Sequence, residues 1–236
     1  MQRSLLPVLG VFLLFSPAPA CDLLVAAASD LSSLQEPLAS AVPGCRVRFV
    51  FGSSGMLARQ IAQGAPYDVF LSADEHRVRE LSDQHALDPD ILIYAVGRLA
   101  MWSKSLRLTR LAELTGPAVR HVALANPAHA PYGLAARQAL ERAGLWNQLK
   151  EKLVMGENVR QALEYASSGN ADVALTAWSL VSRRGGVLVP SDLHEPIRQS
   201  GGVVRSSRQK ETARRFLAFL TSDRGRRLLR ENGLWP

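Results

Sequence analysis

Short apolar runs alternate with amphipathic stretches along most of the chain, which predicts an α/β protein of two lobes. The runs are nearly continuous in Val, Ala, Leu and Phe, as in Val25–Ala28 and His121–Ala125. Strands of that kind suit a mostly parallel sheet covered by helices on both faces. The chain is expected to cross between lobes near Tyr94–Arg98 and to return near Pro196–Gly202. Two crossings make a hinge with a cleft between the lobes.

The elements follow in order. Val25–Ala28 reads as the first strand, and Leu31, Leu34 and Leu38 mark one face of a helix that Pro37 should kink. Cys45–Phe51 is the second strand, followed by a helix with Met56, Leu57 and Ile61 inward. Gly64 to Pro66 stops that helix, Asp68–Ser72 is the third strand, and Glu75–Gln84 is a short helix. In the second unit, Leu99–Ser103, His121–Ala125 and Asp172–Thr176 read as strands. Tyr132–Ala143 and Val159–Ser168 read as its helices. Gly201–Val204 is a strand returning to the first unit, and Glu211–Thr221 and Asp223–Asn232 are closing helices. The resulting division is a signal segment over 1–20, a first lobe over 21–97, a second over 98–199, and a return to the first over 200–236.

The first residues carry the pattern of an export signal. Arg3 gives a positive start, Leu5 to Phe15 is an apolar stretch too short to span a membrane, and Ala18-Pro19-Ala20 is a small-residue cleavage site. Cleavage after Ala20 leaves 216 of the 236 residues and places the protein in the periplasm. Lipid attachment at Cys21 is the less favoured alternative, because Ala18 is small where lipidation signals carry a larger apolar residue. Cys21 and Cys45 each stand just before a strand, which in an oxidising compartment suggests a disulfide; two free thiols are the alternative.

The net charge of +7 suits an anionic ligand, though much of it lies in arginine-rich segments such as Arg183-Arg184 and Arg224 to Arg230. These read as solvated helix faces and loops. No aromatic interleaving or groove-entering motif accompanies them, so nucleic acid is not indicated as a partner.

Two strand ends run into serine at a helix start, at Ser29 and at Ser53-Ser54. Helix starts present unpaired N–H groups and the positive end of the dipole, and serine hydroxyls add donors. The second unit offers two more starts, at Pro131-Tyr132 and at Asn158-Val159, where Asn158 and Gln161 resemble a capping box. Taken alone, each is ordinary helix punctuation.

Taken together, Ala27-Ala28-Ser29, Gly52 to Gly55, Gly64 to Asp74, Ala130 to Gly133 and Glu157-Asn158-Val159 resemble the periplasmic molybdate-binding proteins of ABC transport systems. Tyr94 to Ser103 resembles that family's first crossing. The resemblance covers nearly all the mature chain. It implies a type II periplasmic-binding fold that closes on tetrahedral molybdate or tungstate, with no cofactor, no metal held by side chains, and no catalysis. It also implies a monomer that delivers its ligand to a membrane ABC permease. The ligand contacts it implies are Ser29 and Ser54 through hydroxyl and backbone, and Tyr132 and Val159 through backbone N–H. Asp30 stands where some members have an asparagine donor, and only its N–H is expected to contribute. Ala177 stands where some members use a tyrosine hydroxyl, so that contact is absent or taken over near Tyr132.

Donors alone suit a fully deprotonated dianion and disfavour protonated oxyanions, whose O–H needs an acceptor. Sulfate shares that charge and shape, so the same fold binding sulfate is the first alternative. A metal-dependent hydrolase using Asp68, Asp74 and His76, with Glu75 beside them, is the distant one. Asp68 equally suits a strand start, and Asp74 and Glu75 suit a first helical turn.

Overall fold

The structure is a computed structural model describing residues 21–236; the expected signal segment lies outside the described residues. In chain order the strands are β1 (Cys21–Ala28), β2 (Cys45–Gly52), β3 (Val69–Ser72), β4 (Leu92–Gly97) and β5 (Leu99–Trp102). They continue as β6 (Val122–Ala125), β7 (Leu153–Gly156), β8 (Val173–Ala177), β9 (Val187–Leu188) and β10 (Ile197–Val203). The α-helices are α1 (Gln35–Ala39), α2 (Ser54–Ala62), α3 (Glu75–Asp83), α4 (Pro131–Arg142), α5 (Trp146–Leu149), α6 (Val159–Ser168), α7 (Trp178–Val181), α8 (Lys210–Thr221) and α9 (Asp223–Glu231).

The strands form two five-stranded sheets, ordered β2-β1-β3-β10-β4 and β7-β6-β8-β5-β9. In each, four strands run one way and a single strand runs against them: β10 is antiparallel to β3 and β4, and β5 to β8 and β9. A strand entering from the hinge starts at the carboxyl edge of the parallel set, so it must run the opposite way. β4 ends at Gly97 in the first sheet and β5 begins at Leu99 in the second, leaving Arg98 as the joint.

Period-two alternation explains how each sheet is covered on both faces. Leu23, Val25 and Ala27 of β1 pack with Leu31, Leu34, Phe216 and Leu217, while Ala26 packs with Leu57, Ile61 and Phe70. In the second sheet Leu99, Met101, Val122 and Leu124 face α4, and Ala100, Trp102 and Ala123 face α6. Ala28 and Ala73 of the first lobe join the second lobe's core beside Ala130 and Tyr132, so the lobes are closed against each other.

Several local expectations are corrected. Pro37 does not kink a continuous helix. Residues Ser29–Leu34 form a 3-10 turn and α1 begins anew at Gln35, placing Pro37 in the first turn, where its missing N–H has no intrahelical partner to lose. Met56 is only half-buried, whereas Leu57 and Ile61 are in the core. β4, β7 and β9 were not expected as strands; all three are edge strands and partly exposed. Cys21 and Cys45 are exact partners in the β1–β2 register, 4.7 Å apart at Cα, and form a disulfide.

Candidate ligand-binding site

The carboxyl ends of β1 and β2 and the starts of α4 and α6 meet at a cavity of about 10 Å³ between the lobes. Ser29, Ser54, Tyr132 and Val159 all line it, and so does Asp30. No Lys or Arg does, among the described residues. This space is far smaller than the hundreds of Å³ of an ordinary organic-ligand pocket.

Local chemistry leaves donors free at each corner. Ser54 is the first residue of α2 and is fully buried. Its Oγ accepts the Ala73 N–H at 3.0 Å, so the hydroxyl proton remains to be donated. Ser29, 3% exposed, opens the 3-10 turn after β1. On the far side, Pro131 occupies the first position of α4 and no side chain caps it, so the Tyr132 N–H is one of the helix's unpaired donors. In α6, Asn158 Oδ1 accepts from Arg160 N and Gln161 N, each at 3.1 Å. That cap does not use the preceding N–H, on Val159, a residue that lines the cavity. Three helices of nine residues or more thus direct their positive ends at one point.

Asp30 is fully buried beside Ser29. Its Oδ2 accepts from Tyr132 Oη at 3.1 Å and from Gln199 Nε2 at 2.5 Å, while Oδ1 is buried without a partner. Burial without a cation pushes its pKa up to about 6, against the opposing effect of these hydrogen bonds. Tyr94 donates to Gln199 Oε1 at 2.9 Å and completes the cluster. Burial, with the Asp30 charge, holds both tyrosines well above the usual phenol value, so both stay protonated donors. The Tyr132 hydroxyl is committed to Asp30 and does not stand in for a donor at Ala177. Ala177 itself is buried at the end of β8 with a methyl only.

The lobes also meet at Ser179, whose Oγ donates to Asp30 O at 2.8 Å and whose carbonyl accepts from Ser33 Oγ at 3.2 Å. At the opposite rim Ser53 Oγ lies 2.9 Å from His129 Nδ1, and Gly55 N donates to His129 O at 2.9 Å.

His129 and Gln199 were not singled out from the sequence, and Ser53 and Tyr94 entered only as parts of longer segments. Gln199 carried a usable signal: an amide in a strand whose neighbours two residues away, Ile197 and Gly201, are apolar or small implies a buried polar partner.

The acidic residues near β3 are engaged in structural contacts. Asp68 accepts from Leu24 N and Ser207 Oγ, and Asp74 caps α3 by accepting His76 N at 2.8 Å. Glu75 pairs with Arg79 and Arg198. Among the described residues no three His, Cys, Asp or Glu side chains are grouped to hold a metal. Asp68, Asp74 and Glu75 thus have structural partners, while His76 takes part through its backbone N–H.

Comparison with known proteins agrees with this geometry. The family model for bacterial extracellular solute-binding proteins matches residues 23–234. The chain is 33% identical over 225 residues to the molybdate-binding protein ModA of Rhodobacter capsulatus, covering 92% of this chain and 89% of that one. It is 33% identical over 241 residues to ModA of Azotobacter vinelandii, covering 97% and 96%. The solved Azotobacter vinelandii periplasmic molybdate-binding protein superposes with a TM-score of 0.85 at 32% identity, over 91% of this chain and 99% of that one. With two hinged α/β lobes closing on a cavity of helix starts, the chain belongs to the bacterial extracellular solute-binding protein family.

Proposed function

We propose that this chain captures molybdate or tungstate outside the cytoplasm and delivers it to an ABC permease, binding the anion through neutral donors alone. The convergence of Ser29, Ser54, Tyr132 and Val159 on one small cavity without a cation carries this reading. Each charge-assisted hydrogen bond from such a donor contributes about 1.5–3 kcal/mol net of the water contacts it replaces. Hinge closure brings the two halves of the donor set together. Similarity to the two ModA proteins supports molybdate over other oxyanions. The chain acts as a monomer, needs no cofactor and performs no catalysis. The bond between Cys21 and Cys45 engages the sulfur that a lipid thioether would need, which favours a soluble periplasmic protein over a lipid-anchored one.

Calorimetry of the mature chain with molybdate, tungstate, sulfate and phosphate tests the reading. The expected result is tight one-to-one binding of molybdate and tungstate, weak sulfate and no phosphate. Sulfate binding as tight as molybdate would overturn the assignment in favour of a sulfate receptor, because cavity size is then not discriminating.

A further inference from the structure

His129 joins the lobes at the rim of the site without lining the cavity. It sits in the turn before α4, and its side chain is only 12% exposed. Its Nδ1 meets Ser53 Oγ of the first lobe at 2.9 Å. Its carbonyl accepts the Gly55 N–H, also at 2.9 Å, from the first turn of α2. Its Nε2 lies 3.9 Å from Glu157, two residues before Val159. A Cβ on Gly55 would lie 2.7 Å from the His129 carbonyl oxygen, so only glycine lets the lobes approach this closely.

We propose that His129 is a positioning residue, a clasp that holds the closed cleft and sets the lifetime of the bound anion. This rests on the reading that the cleft holds an oxyanion. The physical reason is that the contacts run across the lobes at the site's rim. They exist only after closure, so they slow opening without changing the encounter of anion and open cleft. The contacts also fix the starts of α2 and α4 against each other. One imidazole thereby ties the Ser54 corner to the Tyr132 corner, while Glu157 stands by the Val159 corner. The Ser–His contact is not a nucleophile pair of the hydrolytic kind. The third group, Glu157, is 62% exposed and beyond hydrogen-bond distance from Nε2.

The test compares wild type with His129→Ala, His129→Asn and Gly55→Ala by stopped-flow tryptophan fluorescence and small-angle scattering, using molybdate as the probe. His129→Ala removes one cross-lobe hydrogen bond and is expected to speed molybdate release about tenfold, with the association rate unchanged. His129→Asn places an amide near the Nδ1 position and is expected to recover most of the lifetime. Gly55→Ala is expected to leave the molecule expanded in the presence of molybdate. Urea unfolding of the ligand-free variants separates a folding defect from a clasp defect. An unchanged release rate in folded His129→Ala, or normal compaction of Gly55→Ala, would overturn the clasp. Failure of the wild type to bind any of the oxyanions would instead overturn the transport reading. The clasp is then judged on scattering alone, where wild type must be more compact than Gly55→Ala or the proposal fails.

Discussion

Replacing Asp30 by asparagine separates the charge of this side chain from its shape. In the folded protein the carboxyl is buried with two neutral donors and no cation, and its pKa rises from 3.8 to about 6. Folding therefore favours the protonated form. Its stability contribution is fully present below the unfolded value and is lost as pH rises through about 6. The whole difference amounts to about 3 kcal/mol, at about 1.36 kcal/mol per tenfold in proton affinity. Between about pH 4.5 and pH 7.5, roughly 2 kcal/mol of that is lost in the wild type and none in Asp30→Asn. The asparagine also leaves an amide N–H at the buried position where Oδ1 has no partner, which costs about 1–3 kcal/mol at every pH. The absolute stabilities of the two proteins are thus ambiguous, whereas the change in their difference with pH is not. Urea unfolding at the two pH values, with equal slopes, gives that change. Asp30→Asn should gain about 2 kcal/mol on wild type from the lower to the higher pH. A difference constant to within about 0.5 kcal/mol would refute the argument that this carboxyl is buried at the cost of its charge.

Three further outcomes follow from the geometry. Ser54→Ala removes a hydroxyl donor from the cavity and should weaken molybdate about 10- to 150-fold by calorimetry; unchanged affinity would remove Ser54 from the site. Gly97→Ala places a Cβ 2.2 Å from Tyr132 Oη, which the hinge cannot accommodate without separating Tyr132 from Asp30 and Gln199. Thermal unfolding should show a loss of about 1–3 kcal/mol, and ligand affinity should fall with it. Replacing Cys21 and Cys45 with serine releases a loop spanned by a sequence separation of 24 and should cost about 3 kcal/mol in urea unfolding, with molybdate affinity retained because the bond lies at the far end of β1 from Ser29.

What was legible in the sequence was what local chemistry determines. The continuous apolar runs at β1, β3, β6 and β8 are fully or largely buried central strands, and there the pattern has one reading. β7 escaped because only its last residue is buried, and β9 because two residues carry no periodicity. The antiparallel direction of β5 and β10 was not legible in any strand, since side-chain alternation is the same for either direction. It follows only from where the hinge delivers the chain. Three of the four cavity positions were legible as helix starts for the opposite reason, while their convergence on one ligand was implied only by the family resemblance. Helix starts are written locally, by Ser54 after Gly52-Ser53, by Pro131 before Tyr132, and by Asn158 before Val159.

Asp30 marks the boundary between the two kinds of information. A carboxylate next to Ser29 was expected to turn away from an anion, and that expectation came from charge alone. Where it turns was not legible, because its partners lie 102 and 169 residues along the chain. Elementary accounting still narrows the search. A fully buried carboxylate needs donors, and the described residues bring no cation to it. The donors must then be neutral groups at elements that converge on the hinge. Strand ends at the two crossings supply few such groups: Tyr94 before the first crossing and Gln199 after the second. Tyr132 completes the set only because the lobes close, which makes its hydroxyl a report on closure and its backbone N–H a wall of the cavity. One residue thus lines the cavity and holds the hinge with its side-chain hydroxyl. A substitution such as Tyr132→Phe would therefore disturb closure while leaving the cavity-facing N–H in place.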